Sequence, residues 1–192
     1  MPASDAATAW VIFLHGLGDS GQGWAHLGQQ LSRRLPWIKW SFPDAAQSAV
    51  TCNGGSCMPS WFDIQRIPVA ESEPLRPRGL DAAVSAVHAM LRQTESMGYD
   101  PSRVALAGFS QGGALALEAA RRYPHKLGGV VSMSGWLPNG RHSKRQATPP
   151  SQRLRRPSKP VRRRLRHLSC SATAWQTELS CLRCLDCLWR RC

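Results

Sequence analysis

The stretch Gly108-Phe109-Ser110-Gln111-Gly112 narrows the folds open to this chain more than any other. Before it runs Arg103-Val104-Ala105-Leu106-Ala107, short, apolar and partly β-branched, which reads as a buried strand. After it comes Gly113-Ala114-Leu115-Ala116-Leu117-Glu118-Ala119-Ala120, rich in helix formers. A serine between a strand and a helix sits on a sharp, strained corner with its hydroxyl exposed. The flanking glycines leave room for backbone that a side chain would meet. The first turn of the helix leaves its N–H groups unpaired and aimed at the same spot. One short segment therefore offers a candidate nucleophile, Ser110, and a donor for a developing oxyanion. G-x-S-x-G alone occurs by chance, and the strand before it and helix after it are what give it weight.

The rest of the chain is consistent with a sheet covered by helices. Trp10-Val11-Ile12-Phe13-Leu14 reads as a first core strand, running into the glycine-rich His15-Gly16-Leu17-Gly18-Asp19-Ser20-Gly21. Residues 22–34 carry Trp24, Leu27 and Leu31 at helical spacing, and Pro36 closes that helix. Residues 37–42 read as a second strand. Residues 45–68 show no clear period and read as a long loop holding Gly54-Gly55 and the pair Trp61-Phe62; a loop of that length is usually functional. Leu80, Val84, Val87 and Leu91 share one face of a helix within 79–98, and 127–133 is a further strand. Strands alternating with helices, the strands apolar throughout, predict an α/β fold with a parallel sheet.

Charge is unevenly placed. The formal net charge is +13, yet residues 1–140 hold 11 Lys/Arg against 10 Asp/Glu, whereas 141–192 hold 14 against 2. The body is near neutral and the basicity belongs to the tail, so the whole-chain charge does not by itself argue for nucleic acid. The first residues lack a basic and an apolar region, so no signal peptide is read there, and no apolar run is long enough to span a bilayer. A cytoplasmic protein with reduced thiols is the expectation. Cys52 and Cys57 fall short of a four-ligand zinc site and read as free cysteines. His26 and His88 read as surface or boundary residues.

Four collinear segments carry a family resemblance: Phe13-Leu14-His15-Gly16-Leu17-Gly18-Asp19, Met58-Pro59-Ser60-Trp61-Phe62-Asp63, Gly108-Phe109-Ser110-Gln111-Gly112-Gly113-Ala114 and Ser134-Gly135-Trp136-Leu137-Pro138. Together they resemble the acyl-protein thioesterase, or phospholipase/carboxylesterase, family of α/β-hydrolases, over roughly residues 9–138. The resemblance implies a three-layer core with a mostly parallel sheet, a partial hydrolase domain over 1–140, and a serine hydrolase that cleaves fatty acyl thioesters of proteins, carboxylic esters or lysophospholipids. It implies no cofactor and no metal. Ser110 would attack the acyl carbonyl, and the backbone N–H groups of Gln111 and Leu17 would form the oxyanion hole, each such donor typically worth about 3–4 kcal/mol. His15 would shape its loop rather than act as a base. Trp61 and Phe62 would line an acyl channel or anchor their loop to the core; both readings stand.

The family pattern then breaks. A hydrolase of this fold needs Asp or Glu and then His after the nucleophile. The acids after Ser110 are Glu118, Glu178 and Asp186, and no histidine follows either of the last two. Glu118 precedes His125, His142 and His167 but lies two turns into the helix behind the serine, poorly placed to orient a base. Loss of triad members typically costs about 10⁴–10⁶ in rate. The expectation is a hydrolase core truncated after the strand at about 127–133, impaired in activity, with a basic, Cys-containing tail over 141–192 that is disordered or only locally helical around Leu179–Trp189. An alternative is a non-catalytic acyl-binding remnant whose tail attaches to anionic surfaces without specific nucleic-acid recognition. Cys181-x-x-Cys184-x-x-Cys187 resembles metal ligation only superficially, with no folded scaffold expected around it. The tail also admits a reading-frame slip: shifted back by one base, residues 169–176 can encode Cys-His-Gly-(Leu/Met/Val)-Ala-Asp, which resembles the missing family segment that carries the catalytic aspartate. Codon degeneracy makes this compatibility.

Overall fold

The computed structural model describes residues 7–69 and 76–138, together with the backbone of Leu168–Cys170. The first strand, β1 (Ala9–Leu14), is buried along its whole length. Residues alternate across a strand, so its two faces serve two cores. Trp10, Ile12 and Leu14 join Val104 and Leu106 beneath two helices, whereas Ala9, Val11 and Phe13 join Ala105 and Ala107 beneath a third. This is the continuous apolar run that a parallel strand covered on both faces requires.

The third helix is α1 (Gly21–Arg34), capped by Ser20, whose hydroxyl accepts from the Gly23 N–H at 3.2 Å. It ends two residues before Pro36 and sets Leu31 on the sheet. Strand β2 (Ile38–Ser41) pairs parallel with β1. The region read as a long loop contains an antiparallel hairpin, β3 (Gln47–Val50) and β4 (Ser56–Pro59), joined through a short 3₁₀ turn whose Gly54 and Gly55 both have positive φ. Helix α2 (Leu80–Ser96) buries Leu80, Val84, Val87 and Leu91, the face predicted from their spacing. Strand β5 (Val104–Phe109) then enters the centre of the sheet, followed by α3 (Gln111–Arg122) and β6 (Gly129–Met133).

The five-stranded sheet has the order β2-β1-β5-β6-β7, all pairs parallel. Its last strand, β7 (Leu168–Cys170), pairs with Val131–Met133. The remaining tail readings, including Leu179–Trp189, the Cys181/Cys184/Cys187 set and the re-encoded stretch beyond residue 170, lie outside the described residues.

Candidate active site

Strands β1 and β5 end level with one another, Phe13 opposite Ala107 and Leu14 opposite Gly108. The glycine loop after β1 and the turn after β5 therefore emerge together at the carboxyl end of the sheet, where open α/β sheets place their ligands. At the end of β5 the chain turns through Ser110, with φ 51° and ψ −115°, a conformation that costs a non-glycine residue on the order of 1–3 kcal/mol. Neighbouring backbone holds it there. The Ser110 N–H donates to the Met133 carbonyl at 2.8 Å, tying the turn to the end of β6, and the Ser110 carbonyl accepts the first helical bond from the Ala114 N–H at 3.0 Å. The N–H groups of Gln111, Gly112 and Gly113 thus precede the hydrogen-bond ladder of α3.

Both flanking glycines are sterically required. A Cβ on Gly108 would lie 2.7 Å from the Gly113 nitrogen, and one on Gly112 would lie 2.5 Å from the His15 carbonyl oxygen. The second contact also shows how closely the first turn of α3 presses on the base of the loop that carries Leu17.

The remaining sequence-predicted residues gather around this corner, though not all in the expected way. His15 is fully buried and both ring nitrogens are engaged. Its Nε2 accepts from the Ala45 N–H at 2.9 Å, which leaves the proton on Nδ1, donated to the Gly16 carbonyl at 2.7 Å. This is the loop-shaping arrangement. Leu17 is half-buried against the core beneath α2 and α3. Its neighbour Gly18 donates its N–H to the Pro59 carbonyl at 2.8 Å. Trp61 and Phe62 are buried in the same core, and the Trp61 indole N–H donates to the His15 carbonyl at 2.9 Å. They also line a cleft of about 570 Å³ with Arg78, Ala83, Ala86 and Met90, but Ser110, Leu17 and Gln111 form none of its wall.

The Gln111 side chain is the feature that sequence reasoning missed. It is fully buried, its Oε1 accepts from the Trp61 N–H at 3.0 Å, and its Nε2 donates to the Ser60 hydroxyl at 3.0 Å and the Phe62 carbonyl at 2.6 Å. An amide adjoining two turn residues was the only local signal, and its partners lie some 50 positions earlier in the chain.

Glu118 is committed elsewhere. It is fully buried, and its carboxylate takes hydrogen bonds from Arg121 and Arg122 on its own helix. Among the described residues, no histidine hydrogen-bonds the Ser110 hydroxyl; His88 bonds the Ala119 carbonyl, and His125 packs its ring on Tyr123.

A parallel sheet with helices on both faces, carrying a positive-φ serine at the junction of its central strand and the following helix, has the architecture of an α/β-hydrolase. The phospholipase/carboxylesterase family model matches residues 1–153. Carboxylesterase SOBER1 of Arabidopsis thaliana is 41% identical over 133 residues, 69% of this chain and 58% of that protein. Its crystal structure superposes with a TM-score of 0.64 at 40% identity, covering 68% of this chain and 62% of that one. Acyl-protein thioesterase 1 of Yarrowia lipolytica is 39% identical over 140 residues, 72% of this chain and 61% of that protein. The chain belongs to the phospholipase/carboxylesterase family. It spans about three-fifths of the length of these two curated relatives.

Proposed function

We propose that this chain is a serine hydrolase domain acting on carboxylic esters or on acyl thioesters of proteins, with Ser110 as nucleophile and the backbone amides of Leu17 and Gln111 as oxyanion donors. The observation that carries this is the strained Ser110 corner, held by the Met133 carbonyl at the N-terminus of α3. The names of the relatives, a carboxylesterase and an acyl-protein thioesterase, support the substrate class. In the reaction the Ser110 oxygen bonds to the acyl carbon as its proton passes to solvent, the carbonyl oxygen takes the negative charge toward the two amides, and the thiolate or alkoxide leaves as that charge collapses back and is protonated by solvent. Water then releases the acid. No described helix is long and apolar enough to cross a membrane, and we place the domain in the cytoplasm.

With no described base on Ser110, the hydroxyl stays a neutral, weak nucleophile, and turnover rests on the oxyanion donors. By analogy with triad knockouts this leaves roughly 10³–10⁴-fold catalysis over water. The same observation favours a second reading, a non-catalytic acyl-binding domain. Hydrolysis of a short-chain p-nitrophenyl ester separates the two. Slow turnover, abolished by Ser110→Ala, is expected of the hydrolase. Hydrolysis no faster than that of the uncatalysed ester in both the native chain and Ser110→Ala would reject it in favour of the binding domain.

A further inference from the structure

The two oxyanion donors proposed above stand on different parts of the chain, Leu17 after β1 and Gln111 at the start of α3. Pre-organised donors act only if their separation is fixed before the charge forms, and among the described residues no backbone hydrogen bond joins the Leu17 loop to the start of α3. The segment Pro59–Phe62, leaving the β3–β4 hairpin, joins them by two routes. On one, the Gly18 N–H donates to the Pro59 carbonyl at 2.8 Å, and the next residue, Ser60, takes the Gln111 Nε2 on its hydroxyl at 3.0 Å. On the other, the Trp61 indole N–H holds the His15 carbonyl at 2.9 Å while the Trp61 backbone N–H donates to the Gln111 Oε1 at 3.0 Å. Ser60 is itself pinned, its N–H on the Ala46 carbonyl at 3.0 Å and its hydroxyl on the Phe62 carbonyl at 2.9 Å. Ser60, Trp61, His15 and Gln111 are all buried. Bonds in such a place are strong and costly to leave unmade.

We propose that the side chains of Gln111, Ser60 and Trp61 are positioning residues for the oxyanion site, fastening the Pro59–Phe62 segment to α3 so that the amides of Leu17 and Gln111 keep a fixed separation. The inference rests on the reading of Ser110 as nucleophile. Gln111 then serves twice, its backbone as donor and its side chain as the lock on the other donor. The β3–β4 hairpin acquires a role too, because any displacement of Pro59 is felt at Gly18, next to Leu17.

The test uses the full 192-residue chain and a fluorophosphonate, on which the Ser110 oxygen forms a bond to phosphorus as fluoride leaves and the hydroxyl proton passes to solvent. Gln111→Met keeps the length and removes all three bonds. Trp61→Phe removes only the indole donor, and Ser60→Ala is paired with Ser60→Thr, which restores a hydroxyl. The maximal labelling rate is expected to fall ten-fold or more in Gln111→Met, and several-fold in Trp61→Phe and Ser60→Ala. Half-saturating probe concentration should stay within two-fold of native, and Ser60→Thr should recover most of the loss; a misplacement of about 1 Å can cost 10²-fold in rate. In parallel, amide hydrogen exchange at Gly18 should accelerate at least ten-fold in the same variants while Leu106, in the central strand, keeps its native rate. Native labelling and native Gly18 exchange in Trp61→Phe and Ser60→Ala would overturn the proposal, even if Gln111→Met failed to fold. Equal acceleration at Gly18 and Leu106 would also overturn it, since the variants would then only loosen the fold. If the native chain is not labelled at all, the nucleophile reading fails, and exchange at Gly18 still decides whether the segment holds the Leu17 loop.

Discussion

Gly112 shows how little freedom the candidate site allows a single residue. Its α-carbon faces the Leu14 and His15 carbonyls, and a methyl group there would need the first turn of α3 to lift away from the end of β1. Overpacking of this kind typically costs about 1–3 kcal/mol. Because the opposing atoms are backbone, which cannot rotate aside, Gly112→Ala is expected to destabilise the domain by about 2–3 kcal/mol in urea unfolding. A change below about 0.5 kcal/mol, the range of ordinary surface substitutions, would show that the helix shifts at little cost. The need for this glycine was legible in the sequence, because a strand-to-helix turn constrains its own neighbours locally. The Gln111 side chain was not, for the opposite reason: three hydrogen bonds satisfy it, and all three partners arrive from residues 60–62 through the fold. His15 was legible as a loop residue, but the Ala45 amide that fixes its tautomer was not.

At the scale of elements, period decided what could be read. Helix α2 showed its buried face because four apolar residues repeat at helical spacing, and β1 and β5 showed as apolar runs. The β3–β4 hairpin has neither signal: its strands are four residues long and half-exposed, and only the Asn53-Gly54-Gly55 turn announced it. Helices α2 and α3 are joined by ionised groups as well as by apolar packing. Arg122 bonds both Glu118 on its own helix and Asp81 on α2. Burial pushes the Glu118 carboxyl up, but hydrogen bonds from Arg121 and Arg122 outweigh it and hold the group below its ordinary value. The contribution of Glu118 is therefore complete above the unfolded carboxylate range, near pH 4.3, and is lost as pH falls below it. Tyr123 sets the opposite limit. Burial, then the hydrogen bond it donates to Glu95 at 2.6 Å, push its phenol up to about 12. The neutral form belongs to the folded state, so its contribution is complete below about pH 10, the unfolded value, and is lost as pH rises through about 12. Chemical denaturation across pH should show a plateau with both shoulders. Glu118→Gln should lower the plateau by about 2 kcal/mol and flatten the acid limb while leaving the alkaline one. An unchanged acid limb would mean that Glu118 is not the group that titrates.

Across the whole molecule, the alternation of strands and helices gave away a parallel sheet, but not the order β2-β1-β5-β6-β7, because which strand neighbours which depends on crossovers rather than on local pattern. The far edge was no more legible, since β7 is three residues long and no apolar period precedes it in the sequence. Main-chain pairing makes little demand on side-chain type, so a three-residue strand can form on an edge where carbonyls and amides would otherwise lack partners. The consequence can be tested on the chain itself. Residues 129–133 expose a row of ladder groups once β7 is gone, and β6 is apolar on the face toward α1, where Val131 and Met133 lie. A chain ending at residue 153, the limit of the family match, retains every helix and every other strand among the described residues and loses β7. It is expected to self-associate at micromolar concentration where the full chain does not, because an unpaired apolar edge is a template for another copy. Light scattering after size-exclusion chromatography distinguishes the two. The added basic tail complicates the comparison by repelling copies through charge alone, so a second full-length variant, Ser169→Pro, removes one backbone donor from β7 and leaves the net charge unchanged. Association of both variants assigns the protection to strand pairing. Association of the shortened chain alone would assign it to charge, and β7 would then have no part in keeping the edge closed.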